Sequence, residues 1–268
     1  MMVRARAQMH EHGSAGSHVV VTDRFLQDSL EDLYAQQLAL DPDNAYLVEH
    51  GSPAWIANQI RTFHWYREYL PSGGNVLDWG CNHAPDCCLL RAWFGDRLTL
   101  YSCDLIDHHS YEVFHRFAAS SYTKLEDSVL LPYPPKFFDA VISSGVLEHV
   151  AMDYESLKEL YRVLKPGGVL VISYLPNWLS YKEFVRRVAR QRDFHRRLYG
   201  KGEAKQLLKR CGFYPISARY HTFVWERWLE RCGLGRWEPE LARLLAQLLP
   251  IHVFSSTLCL VGQKMTTM

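Results

Sequence analysis

The spacing of apolar residues changes along this chain, and the changes divide it into regions. Over 21–40, Phe25, Leu26, Leu30, Leu33 and Leu40 recur at helical intervals and predict a helix. A second helix is predicted to open at Ser52-Pro53 and to run through Trp55, Ile56, Ile60, Phe63 and Tyr66 toward Leu70. Pro71-Ser72-Gly73-Gly74 ends it.

Short continuous apolar runs follow, at 75–79, 98–103, 138–143 and 169–174, each reading as a parallel strand buried on both faces. Between the last two, Leu157, Leu160, Tyr161 and Leu164 share one helical face. Asp153 is the expected cap of that helix and Lys165-Pro166-Gly167-Gly168 its expected stop. Alternating strands and helices of this length predict an α/β fold, a doubly wound sheet.

After Tyr174 the rhythm changes. Residues 175–212 read as helical and basic, 213–224 as a strand, and 225–249 as helices broken at Gly233-Leu234-Gly235. A long final strand is expected over 251–264. A strand pair after a parallel array predicts an antiparallel edge, and therefore a mixed sheet. The organisation expected is an N-terminal tail and helical lid (1–72), a core (73–175), helical insertions with one strand (176–249) and a last core strand (250–268).

Composition adds limits. At 268 residues the chain can bury a full core without metal or disulfide support. A formal net charge of +1 argues against a nucleic-acid footprint over the whole protein. Seven cysteines, an odd number set mostly in apolar runs, read as reduced and buried thiols and so as a cytoplasmic protein. No run reaches the length of a membrane span. Residues 1–16 carry Arg4 and Arg6 with no apolar run behind them, so they read as a ragged start rather than a secretory signal.

The candidate chemistry begins where the first predicted strand runs into Asp78-Trp79-Gly80-Cys81-Asn82-His83-Ala84 and a helix. Such strand–turn–helix junctions are where α/β folds bind nucleotides, because the turn admits a ligand close to backbone and the helix start offers free N–H groups. The second strand ends in Cys103-Asp104-Leu105, and an acidic residue there can accept from both ribose hydroxyls. A pyrophosphate cofactor would call for G-x-G-x-x-G, whereas Gly80 is the one glycine of this turn. A carboxylate at the strand tip suits a ligand carrying an ammonium and a sulfonium.

Four segments together resemble the class I S-adenosylmethionine-dependent methyltransferases, in particular the subfamily of ubiquinone and menaquinone biosynthesis enzymes. They are Val76-Leu77-Asp78-Trp79-Gly80-Cys81-Asn82; Asp104; Glu126-Asp127-Ser128-Val129-Leu130-Leu131-Pro132-Tyr133; and the run from Phe138 through Ser143-Ser144-Gly145-Val146-Leu147-Glu148-His149-Val150, with Leu164-Lys165-Pro166-Gly167-Gly168 beyond it. The resemblance covers residues 74–174. It implies a seven-stranded, Rossmann-like sheet and S-adenosylmethionine as cofactor, with S-adenosylhomocysteine as product. It further implies that Asp78, Gly80, Cys81 and Asn82 hold the methionine portion, Asp104 and Leu105 the ribose, Asp127 and Ser128 the adenine, and that Ser144 faces the sulfonium side. The sequence departs from the family pattern at Asn82 and Ala84, which stand where the turn usually has glycines. Asparagine tolerates a positive φ better than most residues, so Asn82 can keep the turn.

Methyl transfer is an in-line displacement, and a base can assist a neutral acceptor. His149, just past the fourth strand, and His195 and Tyr199, after the core, are the candidate catalytic residues. No metal is expected: Cys81, His83, Cys87 and Cys88 have the right atom types for zinc, but four ligands within eight residues would distort the turn. The expected partner is a small-molecule acceptor, methylated at oxygen sooner than nitrogen: a specialised metabolite, a quinone-like ring or a glycolipid. Aromatic residues on both sides of the core suit an aromatic acceptor. Between Lys182 and Arg210, eleven Lys/Arg stand against three acids, which suits an anionic acceptor, contact with a membrane surface, or a solvated face. Nucleic acid is the least favoured partner, since no aromatic-and-basic RNA module is appended. A monomer or a homodimer fits equally, and a non-catalytic scaffold is the alternative that Asn82 and Ala84 raise.

Overall fold

Strand β1 (Gly74–Trp79) is an apolar run that pairs in parallel with β2 (Leu98–Asp104) on one side and β4 (Phe138–Ser144) on the other. β3 (Ser121–Lys124) extends the sheet beyond β2, and β5 (Leu164–Pro176) extends it beyond β4, both in parallel. β7 (Thr257–Lys264) then pairs antiparallel with β5 and with β6 (Phe213–His221). The order is β3-β2-β1-β4-β5-β7-β6, the mixed seven-stranded sheet expected. The computed structural model describes residues 21–107, 111–188, 195, 197–221 and 253–266.

Successive strand residues face opposite layers. Val76, Ala140, Ile142 and Val171 face helices α1 (Asp23–Leu40), α3 (Pro53–Tyr66), α4 (Pro85–Phe94) and α5 (Glu112–Ala118). Leu77, Val141, Leu170 and Ile172 face α6 (Asp153–Val163) and α8 (Lys201–Arg210). Each fully buried aliphatic side chain stabilises the fold by roughly 1.5–3 kcal/mol, so the two layers fix the sheet between them.

Several expectations needed correction. Lys165-Pro166-Gly167-Gly168 does not merely stop a helix. It lies inside β5, whose pairing with β4 slips there, and a Cβ on Gly168 would sit 2.9 Å from the Lys165 carbonyl oxygen. Met152, not Asp153, is the N-cap of α6; Asp153 opens the helix. A short helix α2 (Ala45–His50), capped by the Asn44 side chain, went unpredicted. So did β3, whose four polar or half-buried residues carry no apolar run. The final strand starts at Thr257 rather than 251. The predicted helices over 225–249 lie outside the described residues, as does the ragged start at 1–16. Residues 175–212 hold α7 (Tyr181–Val188) and α8. Among the described residues, six cysteines are unpaired and buried, and no helix is long and apolar enough to cross a membrane.

Candidate active site

The strand order reverses between β1 and β4, and open α/β sheets bind ligands at the carboxyl edge there. The turn after β1 is held by its own backbone. Gly80 has φ +72°, and a Cβ there would come within 2.5 Å of a Val146 methyl, so a larger residue would push the β1 turn off the β4 turn. The Gly80 and Cys81 amides donate to the Cys103 carbonyl at 2.9 and 3.1 Å, tying the turn to the end of β2. Asn82 and Ala84 both adopt the left-handed conformation, with φ 46° and 56°. The turn therefore keeps its shape without the family's two extra glycines, at a cost of roughly 1–2 kcal/mol for a residue such as alanine.

Asn82 also donates its amide to Asp104 Oδ2 at 2.8 Å, so the left-handed residue and the acidic tip of β2 hold each other. Leu105, exposed, donates its amide to the other Asp104 oxygen at 2.7 Å. Behind the turn Asp78 is buried, and its Oδ2 has no partner. Burial, and next the nearby Asp86 carboxylate, push its carboxyl well above the usual range, while Cys87 hydrogen bonding opposes this. Asp86 has donors of its own: the Tyr66 hydroxyl at 2.6 Å and the Ser144 hydroxyl at 2.5 Å. Ser144 also meets Ser173 at 2.7 Å, so its side chain serves the network under the edge.

The neighbouring candidates are quiet. The Cys81 thiol is pushed up by burial, and His83 is held neutral by burial against the Tyr34 hydroxyl at 2.7 Å. Cys87 and Cys88 are buried in α4. Asp127 and Ser128 lie exposed in the loop after β3. The Leu130 and Val129 amides both donate to one Asp127 oxygen, at 2.8 and 2.6 Å, which holds that carboxyl below its usual range.

The β4–β5 side of the edge is built from side chains. Tyr174 takes φ 60° where the pairing of β5 with β7 slips, and its ring stacks near Trp55 at 6.2 Å and 18°. Trp55 meets His50 at 4.3 Å, and His50 stacks on Tyr46 at 3.8 Å. The aromatic row thus runs from α2 to the tip of β5. Thr62 anchors it: its hydroxyl donates to the Asn58 carbonyl at 2.8 Å and lies 2.8 Å from the Tyr174 hydroxyl and 2.7 Å from His221 Nε2.

Two predicted histidines meet on this side. His149, two-thirds exposed, and His195 have ring centroids 5.9 Å apart. Close to both is Glu148, whose Oε2 is buried without a partner and whose carboxyl is pushed up to about 7 by burial. Tyr199 is not brought to this cluster's open side. It is buried, and its hydroxyl donates toward the Leu147 carbonyl at 3.3 Å and Asp153 Oδ2 at 3.0 Å. Glu148, Asp86, Tyr174 and Glu183 escaped sequence reasoning. Glu148 lies in the quoted motif beside His149, which was the available signal; nothing in the spacing marks Glu183.

A family model described as a methyltransferase domain matches residues 23–218. A tRNA (carboxymethyluridine(34)-5-O)-methyltransferase of Arabidopsis thaliana is 33% identical over 44% of this chain and 27% of its own length. A demethylmenaquinone methyltransferase of Symbiobacterium thermophilum is 30% identical over 39% of this chain and 45% of its own. The chain thus spans less than half the length of these curated relatives. Among solved structures, a phosphoethanolamine N-methyltransferase 2 of Haemonchus contortus, with phosphomonomethylethanolamine and S-adenosylhomocysteine, shares the fold. Its TM-score is 0.60 at 19% identity, over 92% of this chain and 61% of that one.

Proposed function

Because this chain belongs to the methyltransferase-domain family, we propose that it transfers a methyl group from S-adenosylmethionine to an oxygen of a small-molecule acceptor, leaving S-adenosylhomocysteine. The observation that carries the reading is the state of the β1 turn. Its amides are already engaged, Gly80 and Cys81 with the Cys103 carbonyl and Asn82 with Asp104, so they do not form a phosphate cradle. What the turn offers instead is acceptor oxygen: the Asp104 carboxylate at its rim and the unpartnered Asp78 Oδ2 behind it. That set suits a ligand with ribose hydroxyls and a positive charge.

The cofactor supplies an activated methyl on a sulfonium. Asp104 accepts from the ribose hydroxyls, with Leu105 beside it. The second Asp127 oxygen, opposite the one that its own loop engages, accepts from the adenine amino group, and Ser128 borders the ring. Asp78 orients the ammonium through its unpartnered Oδ2, and Gly80, Cys81 and Asn82 form the backbone floor. The row of Tyr46, His50, Trp55 and Tyr174 holds a flat acceptor and keeps water out. Such alignment can supply about 7–11 kcal/mol of the barrier. Oxygen is favoured over nitrogen because the acceptor side presents Glu148, His149 and His195, groups that bind or deprotonate a hydroxyl. The relative acting on demethylmenaquinone fits a ring acceptor.

The test is S-adenosylhomocysteine formation with a panel of hydroxylated aromatic rings, amines and tRNA. Turnover with the rings supports the reading; turnover with amines alone sinks it. A tRNA acceptor is the second reading, favoured by the Arabidopsis relative and the basic 182–210 stretch, and turnover with tRNA alone would install it.

A further inference from the structure

We propose that Glu148, His149 and His195 form a divalent-cation site on the acceptor side of the sheet edge. One ligating atom from each lies within 4.8 Å of the other two. Ligands at about 2.1 Å from a shared ion stand roughly 3 Å apart, so the three groups would close in by less than about 2 Å on binding an ion. Glu148 Oε1 is already 3.9 Å from His149 Nε2.

Two features beyond proximity point to a ligand. Glu148 is almost wholly buried, and its Oε2 has no hydrogen-bond partner. A buried polar atom left alone is costly, and a cation bound at this carboxyl would displace its proton and offset that cost. His195 is held in the manner of a metal-binding histidine. Its Nδ1 lies 2.9 Å from Glu183 Oε1, and its own backbone amide donates to Glu183 Oε2 at 3.1 Å. Glu183 is itself buried and paired with Arg186 at 3.2 Å. A carboxylate behind the ring fixes its tautomer and direction and leaves Nε2 free to bind.

Two imidazoles and one carboxylate select a borderline cation such as Mn2+, Co2+ or Zn2+ over Ca2+. Three protein ligands leave positions open. Gly145 borders the cluster: a Cβ there would stand 3.7 Å from Glu148 Oε1 and 4.0 Å from the Tyr174 Cβ. An acceptor oxygen fits there, and this role alone rests on the methyl-transfer reading. Ligand spacing along the chain does not disclose the site, because its groups come from the β4 tip and from the segment after α7.

The test is a Co2+ titration of chelator-treated full-length protein, followed by visible absorption, with S-adenosylhomocysteine calorimetry on the same metal-free samples. One Co2+ per chain is expected. Binding should weaken at least about 10-fold in His149→Ala, His195→Ala and Glu148→Gln, and about 10–100-fold in Glu183→Gln, which only positions His195. S-adenosylhomocysteine binding should persist in all four, which shows that they are folded. Wild type that binds no Co2+, or a His149→Ala/His195→Ala double variant that binds it as wild type does, overturns the site. Co2+ binding without any S-adenosylhomocysteine binding keeps the site and sinks the methyl-transfer reading.

Discussion

The two halves of the sheet's carboxyl edge are made of different materials. On the β1–β2 half, Gly80, Cys81, Asn82 and Asp104 are held by one another through backbone amides. On the β4–β5 half, Trp55, Tyr174, Glu148, His149 and His195 arrive from four separate segments and meet by side chain. A side-chain-built half can be altered residue by residue without disturbing its neighbour. On the function proposed above, the cofactor takes the first half and the acceptor the second.

The contrast can be broken in three places. The largest effect is expected from Gly80→Ala, which puts a methyl against Val146 at a positive φ. Unfolding by denaturant should show a loss of about 2–4 kcal/mol, with cofactor affinity falling at least about 100-fold. Unchanged binding would mean that the turn is not the cofactor floor. Next, Trp55→Ala removes the partner of Tyr174 in the aromatic row. Acceptor KM should rise roughly 10-fold, in line with the energy of an aromatic pair plus its burial, while S-adenosylhomocysteine affinity stays put. A fall in cofactor affinity instead would place Trp55 in the wrong half.

The smallest effect concerns the support of Tyr174. Burial lowers His221 to about 3 in the folded protein, against about 6.5 when unfolded. The unfolded chain therefore takes up a proton that the folded one refuses, and the neutral ring's contribution, whole above pH 6.5, is lost as pH falls toward 3. Between pH 7.5 and 5.5 the wild type should lose about 1 kcal/mol that His221→Gln does not lose. Parallel stability profiles for the two proteins would show that His221 titrates normally.

The same contrast explains what could be read from the chain. The apolar runs that became β1, β2 and β4, and the strand ends at which Gly80 and Asp104 stand, were legible because they depend on contiguous residues and on local backbone geometry. Asn82 was expected to keep the turn and does so at φ 46°. Edge strand β3 was not legible, since exposure leaves it no apolar signature. Nor was the link from Glu183 to His195, or the meeting of Glu148 with both histidines, because these follow from how α7 and the β4 tip are brought together. Tyr199 resembled a candidate by its place in the chain, and the fold turned its hydroxyl to Asp153.

The most direct test of the divided edge is calorimetry of S-adenosylhomocysteine binding to wild type, Asp104→Ala and His149→Ala. The account predicts saturable one-to-one binding by wild type and by His149→Ala, and affinity reduced by about 10–100-fold in Asp104→Ala, the loss of hydrogen bonds to a charged group. Equal binding by all three, or loss in His149→Ala alone, would contradict it.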